Sequence, residues 1–175
     1  NIRIRGARQV SIIGNHIFDA GTGVGSVDNI LLDDDPTQGR ATEDVLIADN
    51  LIGNRGHATS RYGIAIQGSS RVTLGTNRFV EAGGPLRGNL WLGERARVSR
   101  NSGTATIGPG ATRVTVRHQL LSTPTAADIA VWPTNDLGQA TRFWTGIWTP
   151  THFTIFVDAD PGPATATFAW KGQVE

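Results

Sequence analysis

The stretch Asn1–Asn15, NIRIRGARQVSIIGN, aligns without a gap on Gly63–Asn77, GIAIQGSSRVTLGTN. Ile2, Ile4, Val10, Ile12 and Asn15 fall on Ile64, Ile66, Val72, Leu74 and Asn77, and the turn Gly6-Ala7-Arg8 falls on Gly68-Ser69-Ser70. Two degenerate copies join them. Asn29-Ile30-Leu31-Leu32 and Asn89-Leu90-Trp91-Leu92 repeat the first half, and Val45-x-Ile47-x-x-Asn50 repeats the second. Units start near Asn1, Asn29, Gly63 and Asn89, so the spacings are 28, 34 and 26 residues. Self-similarity at this period marks a solenoid or array. Within each unit apolar and polar residues alternate, which is the period of a strand and not of a helix.

A coil of short strands with unequal turns is a right-handed parallel β-helix, each strand pairing with its equivalent in the next coil about 4.8 Å away. The expected fold class is therefore all-β. Coil one is 1–28, coil two 29–62, coil three 63–88, with a partial coil at 89–101. One wall points Ile2/Ile4, Ile30/Leu32, Ile64/Ile66 and Leu90/Leu92 inward. Val10/Ile12, Val45/Ile47, Val72/Leu74 and Ala96/Val98 line a second wall, and Ile17, Ile52 and Phe79 a third. Asn15, Asn50, Asn77 and Asn101 each follow an inward apolar residue by three positions, so stacked coils bring their amides into a hydrogen-bonded ladder. Gly21, Gly56 and Gly83 follow the first three by six positions and suggest a recurrent turn with positive φ.

After Asn101 the pattern stops. Strands are predicted near 103–108, 112–120, 128–134, 142–149, 152–158 and 164–171, separated by turn signals such as Pro109-Gly110 and Pro161-Gly162. Short strands at this spacing predict a small antiparallel β-sandwich. The domain reading is parallel β-helix coils over 1–101, the C-terminal end of a longer solenoid, and a small β-sandwich over 102–175, expected to cap the coils and to hold copies of the chain together. Four of the five tryptophans lie in the second part: Trp132, Trp144, Trp148 and Trp170.

Lys+Arg number 16 and Asp+Glu 15. This balance, with no basic stripe, argues against a nucleic-acid surface. The absence of cysteine excludes disulfides, thiolate metal sites and thiol catalysis. No stretch approaches the ~20 apolar residues of a membrane span. The chain has no methionine, not even at position 1, and begins flush with a strand. Terminal repeats of solenoids are normally atypical caps, so the expectation is the C-terminal part of a longer protein, with further coils upstream.

The segment Thr123–Trp170, TPTAADIAVWPTNDLGQATRFWTGIWTPTHFTIFVDADPGPATATFAW, resembles a small β-domain at the C-terminus of phage tail-spike and related β-helix proteins. VSIIGNHIFDAG and RYGIAIQG look like pectate-lyase-type coils. The C-terminal motif is fairly specific, whereas the coil motifs are generic to the fold. The resemblance implies a homotrimer, an extracellular or virion-surface location and a bacterial surface polysaccharide as the target of the whole protein. It carries over no catalytic residue, no cofactor and no metal.

Asp33, Asp34, Asp35, Glu43 and Asp44 form the densest group of carboxylates. Paired carboxylates at the right separation cleave glycosides, and several hard oxygens take Ca2+. The reading preferred over both is a solvated loop with Asp35-Pro36 opening a turn. His57, Arg55, Arg61 and Tyr62 lie between coils two and three, where they suit an acidic sugar or a lyase, or merely form a polar loop. Asp158 and Asp160 before Pro161-Gly162 read as a hairpin turn. On the first wall the outward positions are Arg3, Leu31, Ala65 and Trp91. Leu31 and Trp91 are expected to face solvent on a lone solenoid, which marks an interface, with sugar stacking on Trp91 as the rival. Trp144 and Trp148 are further interface candidates, because the adjacent Phe143 and Trp144 must face opposite ways in a strand. Three functions follow: a trimerising stem-and-cap module, a polysaccharide lyase or hydrolase using the coil-two carboxylates, and a carbohydrate-binding module. The first is favoured, with little depolymerase activity expected of this chain alone.

Overall fold

The computed structural model describes residues 1–20, 27–54, 61–68, 70–81 and 86–175. Among them every regular element is a strand. The chain divides into two compact units, Asn1–Val98 and Ser99–Glu175. Arg55, Gly56, His57, Gly21 and Gly83 lie outside the described residues.

In the first unit the strands are β1 (Ile2–Arg5), β2 (Arg8–Ile13) and β3 (His16–Phe18), then β4 (Ile30–Asp33), β5 (Glu43–Ala48) and β6 (Leu51–Asn54). A third set follows, β7 (Tyr62–Ile66), β8 (Ser70–Leu74) and β9 (Arg78–Glu81), and then β10 (Gly88–Leu92). They assemble into three parallel sheets, β1-β4-β7-β10, β2-β5-β8 and β3-β6-β9. The chain visits the three sheets in turn and re-enters each beside the strand it left one repeat earlier.

The pairing register is the register of the repeat. Ile2, Ile30, Ile64 and Leu90 pair in sequence across the first sheet. Val10, Val45 and Val72 do so in the second, and Ile17, Ile52 and Phe79 in the third. Val98 continues the second column through a bridge to Val72. A one-residue slip would turn every one of these side chains to the opposite face. In register they form one apolar cluster, in which Ile30, Leu32, Ile47, Ile52 and Ile66 are fully buried.

The corners recur as faithfully as the walls. Gln9, Asp44 and Arg71 occupy one register position, and all three have a left-handed φ, of 58°, 56° and 66°. Gly14 and Asp49 share the next such position, with φ of 69° and 55°. That conformation is uncommon outside glycine and Asn/Asp, so its repetition shows that the path of the chain, and not only its hydrophobicity, is repeated. Gly63 stands where the other repeats have Asn1, Asn29 and Asn89 because the Phe79 ring fills the space of a side chain there.

The asparagine ladder is present. The amide of Asn15 donates to Oδ1 of Asn50 at 3.1 Å, and that of Asn50 to Oδ1 of Asn77 at 2.9 Å. Each acceptor oxygen also takes the backbone N–H of the Asn before it. Asn50 and Asn77 further donate to the carbonyls of Ile12 and Ile47. The expected fourth rung fails. Asn101 lies in the second unit, within a strand that pairs antiparallel, and its amide donates to the His118 carbonyl. The spacing from Val98 is right, but the chain leaves the parallel pattern before Asn101 is reached.

The second unit contains β11 (Arg100–Ile107), β12 (Arg113–Arg117), β13 (Ile129–Pro133), β14 (Phe143–Gly146), β15 (His152–Val157) and β16 (Ala166–Gln173). They form two antiparallel sheets, β11-β16-β13 and β12-β15-β14. Phe168 and Trp170 of the first sheet and Phe153 and Ile155 of the second meet in one core. Phe143 turns inward, 5.3 Å from Phe168, and Trp144 turns outward. Two strands stop earlier than the sequence suggests. β12 ends at Arg117 because buried His118 closes a turn: its Nδ1 accepts the Leu120 N–H, and its Nε2 donates to the Thr149 carbonyl. β14 ends at Gly146 because Ile147 adopts φ of 51°.

The ladder yields a measurable expectation. Asn50→Ala removes donors and an acceptor from two neighbouring rungs, and Asn77→Ala from one. Each should lower unfolding free energy by about 1–3 kcal/mol, with Asn50→Ala the larger. Urea denaturation of the single variants checks this, and an unchanged midpoint for both would remove the ladder from the account of stability.

Candidate functional site

The turn between β4 and β5 carries the carboxylates singled out in the sequence. Asp33, nearly buried, accepts an Arg3 guanidinium N–H at 2.5 Å through Oδ2, while its Oδ1 is buried without a hydrogen-bond partner among the described residues. Asp34 takes Arg95 at 2.8 Å and the backbone N–H of Thr42 at 3.1 Å. Asp35 faces Arg5 at 4.0 Å and accepts the Thr37 hydroxyl at 2.5 Å, which holds its carboxyl below the usual range. Glu43 lies between Arg8 at 3.3 Å and Arg71 at 3.2 Å, and Arg71 reaches Asp44 at 2.8 Å. All five acids thus lie on arginines supplied by other repeats. Glycoside cleavage needs two carboxyl groups free to flank the scissile bond, whereas each of these five is engaged by an arginine. Among the described residues no three His, Asp or Glu side chains converge as a metal site.

A second constellation assembles at the start of β7. Tyr62 and Trp91 stack with ring centroids 6.1 Å apart and planes 27° from parallel. The Arg61 guanidinium sits 6.0 Å from the Tyr62 ring centre. It also donates twice to Asp28, through Nε at 3.3 Å and Nη2 at 2.7 Å, and the Asp28 side chain is 1% exposed. Such a two-point contact fixes the guanidinium plane. The sequence reading named Arg61, Tyr62 and Trp91, and the structure brings these three together; His57, named with them, lies outside the described residues. Asp28 was missed. The repeat alignment holds the signal, because Ile30 pairs with Ile64 and the same offset sets Asp28 beside Tyr62.

Along the outer side of the first sheet Arg3, Leu31, Ala65 and Trp91 stand in one row. Trp91 is 38% exposed. Leu31, expected to be open to solvent, is half-buried, and Ala65 is buried; neighbours about 4.8 Å to either side shield a short residue in mid-row. In the second unit Trp144 lies open on the outer sheet face, stacked on Phe156 at 5.5 Å. Trp148 is half-buried and rests on Phe153 at 5.8 Å. Trp132 lies over the Lys171 ammonium, 5.9 Å from the ring centre.

Asp158 and Asp160 act on turns. Asp158 accepts the Thr141 hydroxyl at 2.7 Å and the backbone N–H groups of Thr141 and Arg142. Asp160 accepts the N–H groups of Gly110 and Gly162, both at 2.9 Å. The Thr141 hydroxyl and the two N–H groups pull the Asp158 carboxyl down to about 2, from the ordinary 3.8. A depressed folded-state pKa means stabilisation that is complete above the unfolded value and is lost as pH falls through the folded value. Asp158→Asn should therefore lower the thermal midpoint at pH 5–7, and the difference from wild type should shrink from about pH 4 downward and be lost as pH falls through about 2. A difference constant across that window, read by circular dichroism melts, would show that the carboxylate charge is not what holds the Thr141–Arg142 turn.

No family model matches the chain, and no curated protein matches it, so its function is read from the geometry above.

Proposed function

We propose that the first unit is part of a right-handed parallel β-helix, that the second is a small β-sandwich, and that the chain is a trimerising module of a tail-spike-like protein. In this reading the protein works outside the cell or on a virion surface and binds or degrades a bacterial surface polysaccharide. The observation that supports it is the in-register stacking of three repeats and a partial fourth into parallel sheets tied by the Asn15–Asn50–Asn77 ladder. Such a stack forms a continuous wall. Large apolar groups on the wall, Leu31 and Trp91, suit contact between copies related by a cyclic axis.

The stacked Tyr62–Trp91 pair with Arg61 at its side favours a second role for the same wall, the packing of a sugar ring. The arginine-paired acids of the β4–β5 turn favour recognition over cleavage.

Molar mass by light scattering across a dilution series tests the assembly. Wild type should scatter as about three times 18.6 kDa, and Leu31→Lys with Trp91→Lys should shift it to the monomer. A wild-type monomer at micromolar concentration would sink the trimer, and a stable dimer its symmetry.

A further inference from the structure

We propose that the outer face of the β12-β15-β14 sheet docks a carboxylated sugar chain, with Trp144 on Phe156 as the stacking platform and Arg113 as the carboxylate ligand. The proposal rests on the polysaccharide reading above and adds the chemical class of the ligand and a place for it.

The pleat decides what this face presents. Val116, Phe153, Ile155 and Val157 turn into the core, so the alternate residues turn outward. The register sets Arg113 opposite Phe156 and Phe156 opposite Trp144, in one row across the sheet. The Trp144 and Phe156 planes are 7° from parallel with centroids 5.5 Å apart, and Trp144 is 49% exposed on the edge strand. Two residues along, Gly146 pairs with Thr154 and presents no side chain, and a Cβ there would meet only Phe156, at 3.5 Å. The Phe156 ring leans over the Gly146 position and Thr154 beneath is buried, so the two rings form a continuous apolar platform whose outer side is the exposed Trp144 indole. A pyranose offers an apolar C–H face of matching size while its hydroxyls stay in water.

Charge chooses among the possible occupants. The strands β12, β14 and β15 contain no Asp or Glu, and Arg113 and Arg117 both fall on the outer face. Arg113 makes no hydrogen bond or ion pair to any described residue. A second copy presenting this face would bring arginine onto arginine, whereas a carboxylate takes two guanidinium N–H groups at once. Ile147, directly after β14, adds an independent sign. It is 58% exposed and holds φ of 51°. A β-branched residue in that region is a strained outlier, and such strain clusters at ligand-binding positions.

The probes are β-1,4-linked oligoglucuronate and the matched cello-oligosaccharide, which differ only in carboxylate against hydroxymethyl. They are titrated calorimetrically into the full chain at low salt. Oligoglucuronate should bind at least about tenfold more tightly, as expected for one charge-assisted pair. Arg113→Gln should bring the two probes to the same level, and Trp144→Ala should abolish binding of both. Ile147→Gly should raise the thermal midpoint while weakening binding. Equal wild-type affinity for the two probes overturns the acidic class and leaves the polysaccharide reading standing. Wild-type binding that survives both Arg113→Gln and Trp144→Ala overturns the site. If wild type binds neither probe and Trp144→Ala lowers the molar mass, the face belongs to a second copy and the proposal fails. The wall-based trimer is judged separately by Leu31 and Trp91.

Discussion

Lateral pairing between equivalent residues of successive repeats is the constraint on which the first unit depends. A single repeat has three short strands and cannot bury its inward residues; Ile2, Ile4 and Val10 of the first repeat remain only partly covered. The same positions in the second repeat, paired on both sides, are fully or nearly fully buried: Ile30, Leu32 and Val45. Burial of each such side chain contributes about 1.5–3 kcal/mol, and it is available only if the strands stay in step. The asparagine ladder enforces the step. An amide that donates to the next amide and to a carbonyl of the preceding repeat has one register in which both bonds form, and the cost of leaving them unmade inside the fold exceeds the gain from making them in water.

That logic explains what was legible in the sequence. A gapless alignment of Asn1–Asn15 with Gly63–Asn77 is already a statement of which residues become lateral neighbours, so the inward columns and three of the four asparagines could be read directly. Asn101 misled because offset from an apolar residue is a local signal, while ladder membership needs a parallel neighbour. Nothing around Val98–Asn101 in the one-dimensional pattern distinguishes a strand that stacks from one that turns to pair with β16. The early ends of β12 and β14 were hidden for a related reason. They come from a buried imidazole bridging Leu120 and Thr149 and from a left-handed isoleucine, and composition announces neither.

The acidic turn shows how far the same alignment reaches into function. Read alone, Asp33, Asp34, Asp35, Glu43 and Asp44 look like a reactive group. Read in register, Glu43 lies opposite Arg8, and Asp44 shares its position with Arg71, so cross-strand charge pairs are the expected outcome. Exposed pairs of this kind contribute only about 0–1 kcal/mol each. Their consequence here is electrostatic: the acids meet arginines from other repeats, so the turn presents little uncompensated negative charge. The Arg61–Asp28 contact follows the same pattern at a buried position, where fixing the guanidinium also fixes the ring stack beside it.

Against that background the second unit's outer sheet face stands apart. On the first unit Arg3, Arg5, Arg8, Arg61, Arg71 and Arg95 all meet acids. On β12-β15-β14 the register offers Arg113 an aromatic pair instead of an acid, and the strands contain none. Arg113 faces Phe156, with the Trp144 indole on the strand beyond, and cross-strand charge pairing, which explains the placement of charge in the first unit, does not explain an arginine there. Nor does core packing account for Trp144, since Phe143 already fills the inward position on that strand. The stack on Phe156 ties Trp144 to the sheet, yet half of the indole stays open to solvent, and it is this exposed part, in one row with Arg113, that the proposed sugar chain would use.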